Sequence, residues 1–351
     1  MHGHDVGKTM GVNMAVLRCR EVLGLALLGV SGGAPALAQA PPPPSPLRLE
    51  AKIDLPDVRG RIDHMSVDPG KRRLFVAALG NDTVEVVDLG AARRVQTLRG
   101  LAEPQGVLVV PDLNRLVVAN GRDGTVRIFD ATSLAPVRSV PVGDDADNLR
   151  LDPETGQAWV GYGSGGLKSI DVKDGTAGVE VPLGAHPESF RLEHHGTRVF
   201  VNVPEAKVVA VVDRKRGTVL ARWKTDGATS NFPMALDEAH KRLFVVCRTP
   251  PRLLVLDSES GGVVAERPTV GDSDDVFYDP AARRVYVSGG EGAVVIYSQQ
   301  DADRYEQVAR VATEKGARTS FFSPELERLY VAVRQNGATP ARIWVYAVST
   351  E

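Results

Sequence analysis

From about residue 65 onward the chain alternates short apolar runs with clusters of Gly, Asp, Asn, Pro and charged residues, and it holds no helix-period stretch of useful length. "RRLFVAALGNDTVEVVD" (72 to 88) sets two runs rich in Val and aromatics on either side of a Gly-Asn-Asp-Thr turn, which predicts a hairpin. Nearly the same phrase returns at 114 to 130 as "NRLVVANGRDGTVRIFD". Aligning all copies gives seven, with equivalent positions at His64, Gly106, Asn148, Ser189, Pro233, Asp275 and Thr319 and steps of 42, 42, 41, 44, 42 and 44. A period near 42 belongs to four-stranded propeller blades rather than to helical repeats. Each unit reads as a short inner strand, an Asp-Pro-like turn, a β-branched second strand, a Gly-rich turn, a third strand and a fourth such as "RRVQTL" or "PVRSVPV".

The seventh unit stops after "ARIWVYAVSTE" without a fourth strand. One spare strand exists, "LRLEAKIDL" (47 to 55), ahead of the first inner strand. Pairing it into the last blade closes the ring and removes its bare edges. The expected fold is therefore all-β, a single seven-bladed propeller over 47 to 351 whose last blade is completed by the N-terminal strand. Two stacked β-domains are the alternative, and the unbroken period argues against them.

The third strands end in Asp at 88, 130, 171, 213 and 257, with Ser298 and Ala347 in the last two copies. A carboxylate there accepts N–H groups of the following turn, a structural task. Cys247, in "RLFVVC", reads as a small buried hydrophobe, and Trp159 and Trp223 as sheet-packing residues.

Residues 1 to 40 read as a cleaved signal peptide. Arg18 and Arg20 precede the apolar "VLGLALLGV", and "APALAQA" offers small residues for cleavage after Ala38 or Ala40. Met14 is an alternative start, and an uncleaved anchor is the alternative reading, disfavoured by Gly32, Gly33 and Pro35. Residues 41 to 46 form a Pro-rich spacer. The expected location is the bacterial periplasm or the exterior, with no stable membrane span after cleavage. Removing 1 to 40 takes 42 basic residues to 39 and 44 acidic ones to 42, a net charge of −3. That balance gives no general attraction to nucleic acid or anionic membranes. Cys19 leaves with the signal, so no internal disulfide is available and the core alone must supply stability.

The second strands carry "FVAA" (75 to 78), "VVAN" (117 to 120), "WVGY" (159 to 162), "FVNV" (200 to 203), "FVVC" (244 to 247), "YVSG" (286 to 289) and "YVAV" (330 to 333). With the surrounding rhythm, these resemble the YVTN-type, YncE-like β-propeller repeat proteins over essentially all of 47 to 351. The resemblance implies the propeller fold and export, and nucleic-acid binding is one activity associated with the family. It assigns no reacting group, since the tetrapeptide is only a strand element. The Gly-His and Trp-Asp pair of WD40 blades is absent.

The loops leading into the inner strands ring one mouth of a propeller's channel. Here they carry ten carboxylates: Asp63, Glu103, Asp144, Asp145, Asp147, Glu188, Asp226, Asp272, Asp274 and Asp275. Against them stand Arg59, Arg61, Lys315 and Arg318, with His64 and His186. Converging acids raise one another's pKa unless a cation joins them. The expected ligand seat is Asp63, His64, Asn148, His186, Glu188, Asp274, Asp275 and Arg318. A divalent cation, Ca²⁺-like if oxygen ligands dominate, falls to Asp63, Asn148, Glu188 and Asp275, with His64 or His186 adding affinity for a transition metal.

Three functional readings follow. The first is a non-enzymatic scaffold, expected as a monomer, that binds a protein, small molecule or cation at this mouth. The second is a metal-dependent, lactonase-like hydrolase with Asp275 or His64 as base. The third is binding of nucleic acid or another anionic polymer to the opposite face, whose turns carry Lys71, Arg72, Arg73, Arg93, Arg94, Arg214, Lys215, Arg216, Lys241, Arg242, Arg283 and Arg284. Nothing supports nucleophilic catalysis, since no Gly-x-Ser-x-Gly occurs after residue 40, and haem attachment is excluded by the absence of Cys-x-x-Cys-His.

Overall fold

The structure, a computed structural model, describes residues 45 to 349. The expected signal peptide, most of the Pro-rich spacer and the last two residues lie outside the described residues. β1 (Leu47–Leu55) is followed by the first complete sheet, β2 (Met65–Asp68), β3 (Arg73–Ala78), β4 (Thr83–Asp88) and β5 (Arg93–Leu98), hydrogen-bonded in sequence order. The same four-stranded unit recurs as β6 to β9 (Pro104–Pro141), β10 to β13 (Leu149–Pro182), β14 to β17 (Phe190–Lys224), β18 to β21 (Thr229–Pro268) and β22 to β25 (Ser273–Ala312). The last sheet contains β26 (Ser320–Ser323), β27 (Arg328–Val333) and β28 (Ala341–Val348), with β1 as its outer member. The protein is thus a seven-bladed propeller of antiparallel four-stranded sheets.

Burial follows strand rank within each blade. Second strands are buried on both faces because each is covered by the blades on either side, which is why they read as unbroken apolar runs: Leu116, Val117, Val118 and Ala119 are wholly buried. Each such Val or Leu contributes about 1.5–3 kcal/mol by leaving water. Fourth strands form the rim, and β17 (Thr218–Lys224) exposes every second residue. Apolar clusters fill the gaps between blades; Phe75, Val84 and Val86 of the first blade pack on Val107, Val109 and Leu116 of the second.

The seam is built in the same way. β1 pairs antiparallel with β28, from Leu47↔Val348 through Ile53↔Ile343 to Leu55↔Ala341. Ile53, Leu55 and Ile62 join Tyr330 and Ile343 of the last blade and Leu74 and Val76 of the first in one buried cluster. The Ser349 N–H donates to the Pro46 carbonyl at 3.0 Å.

The repeated aspartates act as expected. Asp130 Oδ1 accepts the N–H groups of Thr132 and Ser133, Asp88 those of Gly90 and Ala91, and Asp257 those of Glu259 and Ser260. Cys247 is buried, and burial pushes its thiol up to about 12. Trp159 lies in the core, and Trp223 stacks at a tilt on Phe200, ring centroids 5.7 Å apart. Among the described residues, no helix is long and apolar enough to cross a membrane.

Candidate functional site

Four inner strands, β2, β10, β14 and β26, begin just after the aligned position, and β6, β18 and β22 begin two to four residues ahead of it. The residue after that position is buried between blades, as in Met65, Leu149, Phe190 and Met234, so strand alternation turns its neighbours on both sides toward the channel. The loops before these strands and the turns between second and third strands together form one mouth.

That mouth holds a cavity of about 270 Å³. Asp63, His64, Asn148, His186, Glu188, Asp274 and Arg318 border it, together with Arg61, Gln105, Asp145, Asp147 and Arg248. The eighth expected residue, Asp275, borders a second cavity of about 170 Å³ further along the inner strands, and His64 borders both. His64 is therefore a partition: Nε2 lies 3.6 Å from Asp147 Oδ1 and 3.9 Å from Asp63 Oδ1, while Nδ1 lies 3.9 Å from Asp275 Oδ1.

The acids of the mouth divide by partner. Asp63 pairs with Arg61 at 2.9 Å. Asp274 is held between Arg318, at 2.7 Å, and Arg248, whose guanidinium also covers the Phe232 ring at 3.6 Å. Asn148 accepts from Arg150 Nη2 at 3.0 Å and donates to Asp147 Oδ2 at 3.3 Å. Asp275 Oδ2 accepts the Ser320 N–H at 2.8 Å.

Asp147 and Glu188 have no such cation. Asp147 is 8% exposed, and its Oδ1 is buried without a hydrogen bond. Glu188 has His186 Nε2 at 3.9 Å, and the other ring nitrogen of His186 lies 3.7 Å from Asp145. Among the described residues, Asp147, His186 and Glu188 form the one group of three whose potential ligand atoms all lie within 4.8 Å of one another. Burial pushes Glu188 up to about 8, with the charge of Asp274 adding to it. It drives Asp147 well above the ordinary carboxylate range despite the opposing pull of His64. Two desolvated carboxylates that resist ionising, beside an imidazole, are what a bound cation relieves.

A glycine makes this geometry possible. A Cβ on Gly106 would lie 2.1 Å from the Asp147 carbonyl oxygen, so only glycine lets the third blade's loop come this close.

Asp147 stood among the ten loop carboxylates but outside the expected ligand set; nothing in sequence separates it from its neighbours, because its lack of a cation is a three-dimensional fact. Arg248, at the end of a second strand, gave no signal. Arg150 and Arg191 did give one: both stand two residues past the aligned position, in inner strands, where Leu108, Phe277 and Phe321 also face the channel.

The opposite face is partly self-neutralised, since five of its twelve expected cations pair with carboxylates of the described residues. Arg214, itself buried, pairs with Asp152 at 3.1 Å, Lys215 with Glu154 at 2.7 Å, Arg94 with Glu85 at 3.2 Å, and Arg242 with Asp257 at 2.9 Å. His194, His195 and His240 lie there, in turns between first and second strands; the backbone N–H groups of the first two donate to Glu238, and His240 bonds Asp237 at 2.8 Å.

This combination of fold and mouth defines the class: a closed seven-bladed β-propeller with a charged axial channel. No protein-family model matches the chain, and no curated protein matches it. Among solved structures, it is similar to a chain of Kuenenia stuttgartiensis hydrazine synthase, at 17% identity with a TM-score of 0.72, covering 84% of this chain and 98% of that one. It is equally similar, at a TM-score of 0.72 and 15% identity, to a chain of the mitotic checkpoint complex, covering 92% of this chain and 99% of that one. At such identities the likeness shows the fold alone.

Proposed function

We propose that the protein is an exported, YncE-like binding propeller that holds a divalent transition-metal ion at its channel mouth, with Asp147, His186 and Glu188 as ligands. The observation that carries this reading is the buried Asp147 carboxylate, one oxygen of which has no hydrogen bond, brought within 4.8 Å of ligand atoms of His186 and Glu188. One imidazole and two carboxylates match a Zn²⁺-type ion better than Ca²⁺, which prefers an all-oxygen shell of six to eight ligands. Three protein ligands leave a coordination position facing the cavity, open to a donor atom of a small ligand or a partner's side chain. The propeller supplies rigidity, and the loops of its blades supply a rim for recognition. Export rests on the N-terminal charge and apolar pattern. Partner binding through the basic face is the weaker reading, because five of its twelve cations are already paired with carboxylates and the remainder are scattered over several blades.

The test is calorimetric titration of chelator-stripped protein with Zn²⁺, Mn²⁺ and Ca²⁺. Zn²⁺ should bind most tightly, one ion per chain, and both Asp147→Asn and Glu188→Gln should weaken it by at least ~10-fold. No heat at millimolar metal, or unchanged affinity in both variants, would overturn the reading. Acid release from γ- or δ-lactones by the metal-loaded protein would replace the binding role with the hydrolase one, with His64 and Asp275 as the bases to test.

A further inference from the structure

Below His64 the channel changes character. The 170 Å³ cavity there has apolar walls, among them Val107, Leu108, Leu151, Phe277 and Phe321, and two arginines, Arg150 and Arg191, on adjacent inner strands. Arg150 is tied down: Nη2 donates to Asn148 and to Ser189 Oγ at 3.3 Å, and Nη1 donates to the Leu149 carbonyl at 2.7 Å. Its Nε is buried without a hydrogen bond. Arg191 is anchored by nothing comparable. Among the described residues, no hydrogen bond from its guanidinium and no carboxylate within 4.0 Å of it is found, although the side chain is largely sheltered from solvent.

The guanidinium thus faces the chamber with five donors that no protein acceptor engages, unlike Arg150, and they are free for a ligand that enters. Burial and the neighbouring Arg150 hold Arg191 down to about 9, so it stays charged at neutral pH. Asp275 is the nearest opposing charge, yet it is engaged by Ser320, and burial drives its carboxyl well above the ordinary range.

We infer that this lower chamber is a second binding site, separate from the metal seat, which takes a small monocarboxylate whose carboxylate sits on Arg191 and whose apolar body lies against Leu108, Phe277 and Phe321. A planar carboxylate matches the guanidinium fork, two parallel N–H···O bonds replacing the missing acceptors. The walls decide between carboxylate and phosphate: a phosphate has no apolar part to bury there. The volume sets the size, since an engineered apolar cavity of about 150 Å³ holds benzene. Benzoate and a branched four- or five-carbon acid therefore fit, and a dicarboxylate would place its second charge against hydrocarbon.

The experiment uses the folded chain with sodium benzoate as the probe, benzyl alcohol and inorganic phosphate as controls, and thermal shift with calorimetry as readouts. Wild type should bind benzoate saturably and neither control. Arg191→Gln should weaken benzoate at least ~10-fold, as expected for a lost charge-assisted bidentate pair, while leaving metal binding intact. The Arg191 guanidinium makes no hydrogen bond among the described residues, so its replacement should fold; should it not, Leu108→Trp, which fills the chamber, should abolish benzoate binding instead. No saturable binding at millimolar benzoate, phosphate binding as tight as benzoate, or benzoate binding unchanged by either variant would each overturn the inference.

Discussion

At the scale of single residues, the mouth depends on one side chain that is absent. The Gly106 α-carbon sits against the Asp147 carbonyl, and an added methyl at 2.1 Å meets backbone, which cannot swing aside as a flexible side chain could. Gly106→Ala should push the third blade's loop outward, cost about 1–3 kcal/mol of stability, and lower metal affinity at least ~10-fold by moving Asp147 away from His186 and Glu188. Wild-type affinity in that variant would show that this close approach does not set the site. The same pair marks the limit of what the sequence discloses. That acids crowd the mouth is legible from loop composition, and seven of the eight expected residues border one cavity. Which acid lacks a cation is not legible: Asp63 finds Arg61 two residues away, Asp274 finds Arg248 from another blade, and Asp147 finds neither. Arg191 shows the reverse case, a residue whose repeat position announced that it faces the channel, although chemistry was sought only in the loops.

At the scale of elements, the blades were the most legible feature, because burial on both faces forces each second strand into an apolar, β-branched run and each turn into glycine and aspartate. The Asx turn that ends the third strands carries a pH dependence. The N–H donors of Ala91 and Gly90 hold Asp88 below the ordinary value of 3.8, and those of Ser133 and Thr132 do the same for Asp130; at Asp257, Ser260 and Glu259 outweigh burial. A carboxylate whose folded-state pKa is depressed adds stability that is fully present above its unfolded value and is lost as pH falls through the folded value. The melting temperature should therefore hold steady down to about pH 4 from this source and then fall. Asp130→Asn keeps an acceptor oxygen but not the charge, and should shallow that acid limb; an identical limb in the variant would remove Asp130 from the account.

At the scale of the whole molecule, the ring depends on β1. Ile53 is 2% exposed, inside a cluster that joins the first and last blades. Ile53→Ala should cost about 2–5 kcal/mol, the range for emptying a buried aliphatic position, and should shift the urea midpoint without changing the slope if the ring still unfolds as one unit. A lower slope would instead report blades parting independently. The spare strand after the Pro-rich stretch made this closure readable, since a seventh unit one strand short has to be completed from somewhere.

The register Leu47↔Val348 also sets an order of events in time. β1 leaves the ribosome ahead of every other strand of the ring, and its partner β28 is the last strand of the ring to be made. Until then β1 has no mate and the newest blade presents a bare flank, open to pairing with the wrong chain. However early the inner blades condense, the circle can be sealed only once β28 has emerged, so the interval between the emergence of β1 and that of β28 is when this chain most needs a chaperone's cover.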